Sequence, residues 1–437
     1  MNRRDPVRLT AYDVLKAVRE DDAYANLVLP RLLRERRLDG RDAALATELA
    51  YGTLRAQGQL DTILSASIDR PLAKVDLPVL DVLRLGAYQL LRTRIPTHAA
   101  VSTTVDLART RLTAGPAAFV NAVLRKVAAK DLDGWLAELA PADEMDRLAL
   151  ETSHPRWIAQ AYRDALRGDL GETRRALAAD DERPQVHLVA RTCDRSELPG
   201  EPGPWSPRAT RLDGGDPGDV PQVRDGSAGV QDEGSQLMAL ALARAPLDGP
   251  DDLWVDLCAG PGGKAALLQA LAPGRLLAVE VQQHRAVLVR KAGVREVVTA
   301  DGRRPPIAPG TADRVLLDAP CSGLGALRRR PEARWRRQPS DLPGLTKLQA
   351  ELLDGAVALL RPGGVLAYVT CSPHLAETAV PVLDVLRRHP TLRQLDAREL
   401  LPGVPDLGPG PSVQLWPHRH GTDAMFLAVF VLGQALG

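Results

Sequence analysis

The sequence predicts a multidomain chain: an N-terminal all-α bundle, a small α+β subdomain and a C-terminal α/β domain built on a parallel sheet. Three observations predict it. Apolar residues recur at helical spacing through the first third. A Pro- and Gly-rich stretch from Pro199 through Asp219 breaks the middle into loops and short strands. From about residue 246, strand-like apolar runs alternate with helical ones around a Gly-rich turn, the order of a parallel sheet with helices on both faces. A length of 437 residues is more than one ordinary core carries. The expected domains are residues 1–165, 166–245 and 246–437.

In residues 1–165, Val7, Ala11, Val14, Leu15 and Val18 share a helical face. So do Leu80, Leu83, Ala87, Leu90 and Leu91, and later Phe119, Val120, Val123, Leu124 and Val127. Pro6, Pro78 and Pro116 stand near helix starts, where a missing N–H costs little. The polar groups of Tyr51–Arg55 and Gly86–Leu90 read as surface residues around this core, and His98 as part of a helix start. Arg31, Arg34, Arg36 and Arg37 could touch phosphate, although a solvated helix face is the commoner origin of such a run.

The middle opens on Arg183–Ala190, which alternates like a strand. It closes on Gln231-Asp232-Glu233-Gly234-Ser235-Gln236, which leads into a helix from Leu237 to Ala245 with Ser235 as candidate cap. The acids of that run either face the helix dipole or line the cleft that follows. Cys193, in a polar loop, reads as incidental.

Composition bounds the rest. Hydrophobic content of 45% and charged content of 25% belong to a soluble globular chain, and 3% aromatics imply aliphatic cores. A net charge of +1 does not announce nucleic-acid binding, so local clusters have to. The cysteines Cys193, Cys258, Cys321 and Cys371 include no C-x-x-C pair, so neither a zinc site nor a disulfide framework is expected, and no metal. Reduced thiols fit the cytoplasm. No apolar run approaches the roughly 18 residues of a membrane span, and no secretory segment is expected.

In residues 246–437, Leu253–Leu257 reads as a strand. The turn Cys258, Ala259, Gly260, Pro261, Gly262, Gly263, Lys264 follows it, then a helix to Leu271. The turn lets backbone approach a ligand closely, and it is neither a dinucleotide fingerprint nor a P-loop. Glu280 ends the next strand, where a carboxylate can accept hydrogen bonds from both ribose hydroxyls. Asp301 ends the third, placed to reach an adenine edge. Together they suit an adenosine cofactor lacking a pyrophosphate. Two further apolar runs end in cysteines: Val315-Leu316-Leu317-Asp318-Ala319-Pro320-Cys321-Ser322-Gly323, and Gly364–Val369 before Thr370-Cys371-Ser372. Two thiols delivered by two strand ends suggest chemistry on an electrophile.

These three motifs, in this order, resemble the RNA m5C methyltransferase family of the Nop2/Sun/RsmB type. The segments Glu48–Gly52, Leu85–Leu90 and Phe119–Arg125 resemble the NusB fold, whose domains bind RNA. With both parts, the chain is similar over nearly its full length to bacterial 16S rRNA cytosine methyltransferases. The resemblance implies a NusB-like bundle ahead of a Rossmann-like class I methyltransferase domain, with S-adenosylmethionine as cofactor. It implies a monomer acting on RNA, 16S rRNA before full subunit assembly. A tRNA m5C methyltransferase uses the same parts. A non-catalytic RNA-binding assembly or antitermination factor would be expected to carry damaged motifs, and these are intact.

In the family the Thr-Cys-Ser cysteine, here Cys371, is the nucleophile. The Pro-Cys cysteine, here Cys321, helps release the product. Asp318 is expected in the same cleft, hydrogen-bonded to the cytosine N3/N4 edge and sharing in holding the methyl donor. An attacking thiol needs a positive setting, and Lys264 is one source. The sequence departs from the family pattern at Ala265, Val369, Thr378-Ala379 and Ala424-Met425. For RNA contact, the run Arg328-Arg329-Arg330-Pro331-Glu332-Ala333-Arg334-Trp335-Arg336-Arg337 offers phosphate and stacking partners, and Leu415–His420 a second rim.

Overall fold

A computed structural model of the chain describes residues 5–112 and 114–433. It divides into two compact units: residues 1–181 with 327–337, and residues 182–326 with 338–437.

The first unit is helical: α1 (Pro6–Glu20), α2 (Ala25–Glu35), α3 (Gly40–Ser67), α4 (Leu77–Arg92), α5 (Thr97–Arg111), α6 (Ala114–Val127), α7 (Leu132–Glu138), α8 (Glu144–Glu151), α9 (Arg156–Ala165) and α10 (Leu170–Ala179). Asp5 caps α1 by accepting from the Val7 and Arg8 N–H groups at 3.1 Å, with Pro6 in the first turn. Val7, Ala11, Val14, Leu15 and Val18 face the core with Leu80, Leu83 and Ala87, as their spacing predicts. Tyr88 and Gln89 are buried rather than on the surface, and Gln89 accepts from Arg8 Nε at 2.7 Å. The unit runs past residue 165, because α9 and α10 continue the bundle before the chain turns to strand.

Residues 327–337 belong to this helical unit, which changes the reading of the Arg-rich run. Arg334 is fully buried; it donates to Asp181 Oδ1 and to the Asp180 carbonyl at 2.8 Å each. The Trp335 indole N–H donates to the Leu54 carbonyl at 2.8 Å, and Arg336 donates to the Val18 and Ala23 carbonyls at 2.6 Å each. Arg328 is 3% exposed. Arg334, Trp335 and Arg336 are thus engaged by backbone carbonyls and by Asp181 within this unit, so they are not a surface for phosphate.

The second unit holds two sheets. A small antiparallel sheet has the order β2-β3-β1-β4, with β1 (Val186–Ala190), β2 (Glu201–Pro202), β3 (Ala209–Leu212) and β4 (Ala228–Val230). Helices α11 (Pro221–Asp225) and α12 (Glu233–Arg244) flank β4 in the chain. The cap of α12 is Asp232, which accepts from the Gly234 N–H at 3.0 Å, not Ser235.

The large sheet contains β5 (Leu253–Asp256), β6 (Arg275–Glu280), β7 (Glu296–Thr299), β8 (Ala312–Asp318), β9 (Leu360–Thr370), β10 (Leu392–Leu395), β11 (Val413–Gln414) and β12 (Phe426–Leu432). Its order is β10-β12-β9-β8-β5-β6-β7, with β11 paired to β12. Strands β5 to β9 run parallel, while β12 joins β9 antiparallel. Helices α13 (Gly263–Leu271), α14 (Gln283–Lys291), α15 (Leu342–Leu359) and α16 (Ala379–Arg388) connect the strands. Alternate residues feed two cores. Trp254, Leu316, Ala367 and Leu427 pack with α12 and α13 on one face. Val255, Leu317, Tyr368 and Phe426 pack with α15 and α16 on the other. Strand order reverses between β5 and β8, so a ligand crevice lies beyond their carboxyl ends.

Candidate active site

That crevice is floored by strand-end acids. β5 ends in Asp256, β6 in Glu280 and β8 in Asp318. Between β5 and α13 runs the glycine turn. Gly262 has φ +112°, and a Cβ there would lie 2.8 Å from Ala292 Cβ and 2.9 Å from Val289 Cα, so only glycine fits. The Gly260 N–H donates to Glu280 Oε2 at 3.0 Å, and the Gln282 N–H donates to Oε1 at 2.9 Å. A Cβ on Gly260 would overlap the Glu280 carboxylate. The turn and β6 are thus locked edge to edge.

Buried acceptors beside the turn lack donors. Both carboxylate oxygens of Asp256, 1% exposed, have no hydrogen-bond partner among the described residues, and neither has Gln231 Oε1. Gln231 lies 3.7 Å from where a Cβ on Gly263 would stand. Burial, then the nearby Asp318 charge, pushes the Asp256 carboxyl up to about 8. Orphaned buried acceptors at a backbone cradle suit a ligand that brings donors, an ammonium above all. The sequence leaves a cleft-lining role open for the run from Gln231 to Gln236, but it gives Asp256 no binding role of its own. The strand-end rule used for Glu280 and Asp301 applies equally to Asp256.

Asp301 lies beyond the end of β7 with a different partner. Arg303 donates to it through its backbone N–H at 2.9 Å and its guanidinium at 2.6 Å, holding the carboxyl below its usual range. Burial, then the charges of Asp256, Asp318 and Glu280, push the Cys258 thiol up.

The two cysteine loops meet. Cys321 Sγ lies 3.3 Å from Cys371 Sγ. Adjacent strands β8 and β9 deliver them, and the Ala319 N–H donates to the Val369 carbonyl at 2.9 Å. The Gly325 N–H then donates to the Cys371 carbonyl, also at 2.9 Å. Lys264 Nζ donates to Asp318 Oδ2 at 2.8 Å. Burial opposes the Lys264 ammonium, but Asp318, Cys371 and Asp256 outweigh it and raise its pKa. Cys321 is pushed up by its Cys371 neighbour, by burial and by Glu377. Lys264 therefore feels Cys371 as well as Asp318, and the Cys321 thiol is held above its usual range.

The expected second rim is mostly interior. Leu415, Trp416 and His420 are buried, and His420 Nε2 lies 2.9 Å from the Pro405 carbonyl oxygen. The departures from the family pattern at Ala265, Val369, Ala424 and Met425 are buried apolar positions that add no polar group to the crevice.

Comparison with known proteins gives a consistent set of matches. Residues 242–431 match the family model described as 16S rRNA methyltransferase RsmB/F, and residues 5–129 match the NusB family. A Mycobacterium tuberculosis protein named only as a methyltransferase is 56% identical, covering 97% of this chain and 96% of its own. The ribosomal RNA small subunit methyltransferase B of Salmonella typhi is 32% identical, covering 99% and 100%. Among solved structures, PH0851 matches with a TM-score of 0.80 at 22% identity over 98% of each chain. NSun6 from Pyrococcus horikoshii matches with 0.54 at 18% identity, over 64% of this chain and 98% of its own.

Proposed function

The chain belongs to the 16S rRNA methyltransferase RsmB/F family, and from that premise we propose that it methylates carbon 5 of a cytosine in 16S rRNA through a covalent Cys371 adduct. The observation that carries this reading is the pair of sulfurs 3.3 Å apart beside the Lys264–Asp318 ion pair.

Carbon 5 of cytosine is a poor nucleophile. Addition of the Cys371 thiolate to C6 pushes electrons onto C5 and divides one hard step into two. Lys264 favours that thiolate. The proton released from the Cys371 thiol passes to N3 as the sulfur–carbon bond forms, and the Asp318 carboxylate accepts from the resulting N3–H and from the N4 amine. After methylation, Cys321 assists loss of the C5 proton; the electron pair forms C5=C6 and the Cys371–C6 bond breaks.

The cofactor in this reading is S-adenosylmethionine, which supplies an electrophilic methyl group. Its binding residues would be Cys258, Ala259, Gly260, Pro261, Gly262, Gly263 and Lys264, with Glu280 toward the ribose and Asp301 toward the adenine. The orphaned Asp256 oxygens and Gln231 Oε1 fit its ammonium. Asp301 would reach adenine only by sharing or releasing Arg303.

The target base has to leave its stack to meet a thiol, so an unpaired rRNA cytosine before full subunit assembly is the substrate. A cytoplasmic monomer suffices for this chemistry. Incubation of the enzyme with 16S rRNA or with tRNA and methyl-labelled cofactor tests the choice; label in tRNA alone would overturn it.

A further inference from the structure

We propose that Glu377 is a positioning residue that sets the separation of the two sulfurs, so that both address one pyrimidine; this rests on the methylation reading above. Glu377 is fully buried. Its Oε1 accepts from the Ser322 N–H at 2.7 Å and from Gln349 Nε2 at 3.2 Å. Its Oε2 accepts from the Ser372 hydroxyl at 2.6 Å and from the Ser322 hydroxyl. Ser322 follows Cys321, and Ser372 follows Cys371. One carboxylate therefore grips the residue after each cysteine.

The rest of the network anchors the grip. Gln349, on α15, also donates to the Pro320 carbonyl at 2.9 Å, on the other side of Cys321. The Tyr368 hydroxyl, from β9, donates to the Glu377 carbonyl at 2.9 Å. Four donors converge on the carboxyl, and none of them belongs to the glycine turn. The two cysteine loops also meet through the Gly325 N–H on the Cys371 carbonyl and through the Ser322 hydroxyl 3.2 Å from the Ser372 hydroxyl, and Glu377 holds both ends of that second contact. Charge-assisted hydrogen bonds from both loops to one buried group couple them. A neutral amide in its place removes the charge and leaves one oxygen where two now accept from four donors, which weakens the tie between the loops.

The test uses the full-length chain and phenylarsine oxide, whose trivalent arsenic bonds two adjacent thiols with release of water. Wild type is expected to bind one arsenical per chain, lost in Cys321→Ala and Cys371→Ala. Glu377→Gln and Glu377→Ala are expected to weaken that capture several-fold. They should lower kcat at least about tenfold, because a misplaced reacting group costs up to about a hundredfold, while cofactor affinity stays at the wild-type value. Ser322→Ala combined with Ser372→Ala removes two of the donors with little change in volume and should move the same readouts in the same direction. Wild-type capture and kcat in any of these folded variants would overturn the proposal. So would joint loss of cofactor binding and arsenical capture in all of them, which would mark Glu377 as a support of the whole fold. Arsenical capture is read without RNA, so a wild-type enzyme that methylates no rRNA would refute the methylation reading while leaving the sulfur-spacing result legible.

Discussion

In the proposed reaction, Cys371, Cys321 and Asp256 each have a distinct expected phenotype. Cys371→Ala removes the attacking sulfur and is expected to abolish methylation while cofactor binding, read by calorimetry, persists. Cys321→Ala leaves the attack intact and removes help in release, so a covalent enzyme–RNA adduct should accumulate on denaturing gels. Asp256 predicts a pH dependence. Its folded-state carboxyl is pushed up to about 8, chiefly by burial, so the fold holds this proton at pH values where the unfolded chain has lost it. Its contribution to stability is therefore full in acid and declines as pH rises from about 4 toward about 8. A ligand ammonium prefers the ionised form, so cofactor affinity should rise with pH across the same window. Asp256→Asn should flatten both slopes; an unchanged pH profile of cofactor affinity in that variant would exclude Asp256 as the ammonium partner.

At the scale of elements, the strand ends are what the sequence made readable. Apolar runs closing on Asp256, Glu280, Asp318 and Thr370 are short, buried and bounded by turn residues, and each occupies a parallel strand of the large sheet. Glu377 is in plain sight as an acid six residues beyond Cys371, but its role depends on Ser322 and Gln349 arriving from elsewhere in the chain. No local pattern encodes that convergence. The run from Arg328 to Arg337 misleads for the same reason. By composition it offers phosphate and stacking partners to RNA, yet Arg334 is fully buried against Asp181 and backbone carbonyls more than a hundred residues away in sequence. Trp335 lies so close to α3 that a Cβ on Gly58 would overlap its ring. Gly58→Ala should therefore destabilise the helical unit by about 1–3 kcal/mol, measured by urea unfolding, and Gly58→Ala with Trp335→Phe should recover part of it.

At the scale of the molecule, the domain plan read from composition shifts because chain order and spatial units differ. The chain leaves the second unit after Ala326, contributes residues 327–337 to the helical unit, and returns at Gln338. The helical unit is thus completed by a segment that follows the Cys321 loop in sequence. A fragment of residues 1–181 should be less stable alone and should bind a synthetic peptide of residues 327–337. A peptide with Arg334→Ala should not bind, since it leaves the Asp181 carboxylate without its buried partner; equal binding of both peptides would contradict the buried role of Arg334. The most direct test of the covalent methylation reading is nucleoside mass spectrometry of 16S rRNA incubated with methyl-labelled S-adenosylmethionine and either wild-type enzyme or Cys371→Ala. Label in 5-methylcytidine with wild type and none with the variant is the expected result; label in any other nucleoside, or undiminished label with Cys371→Ala, would contradict it.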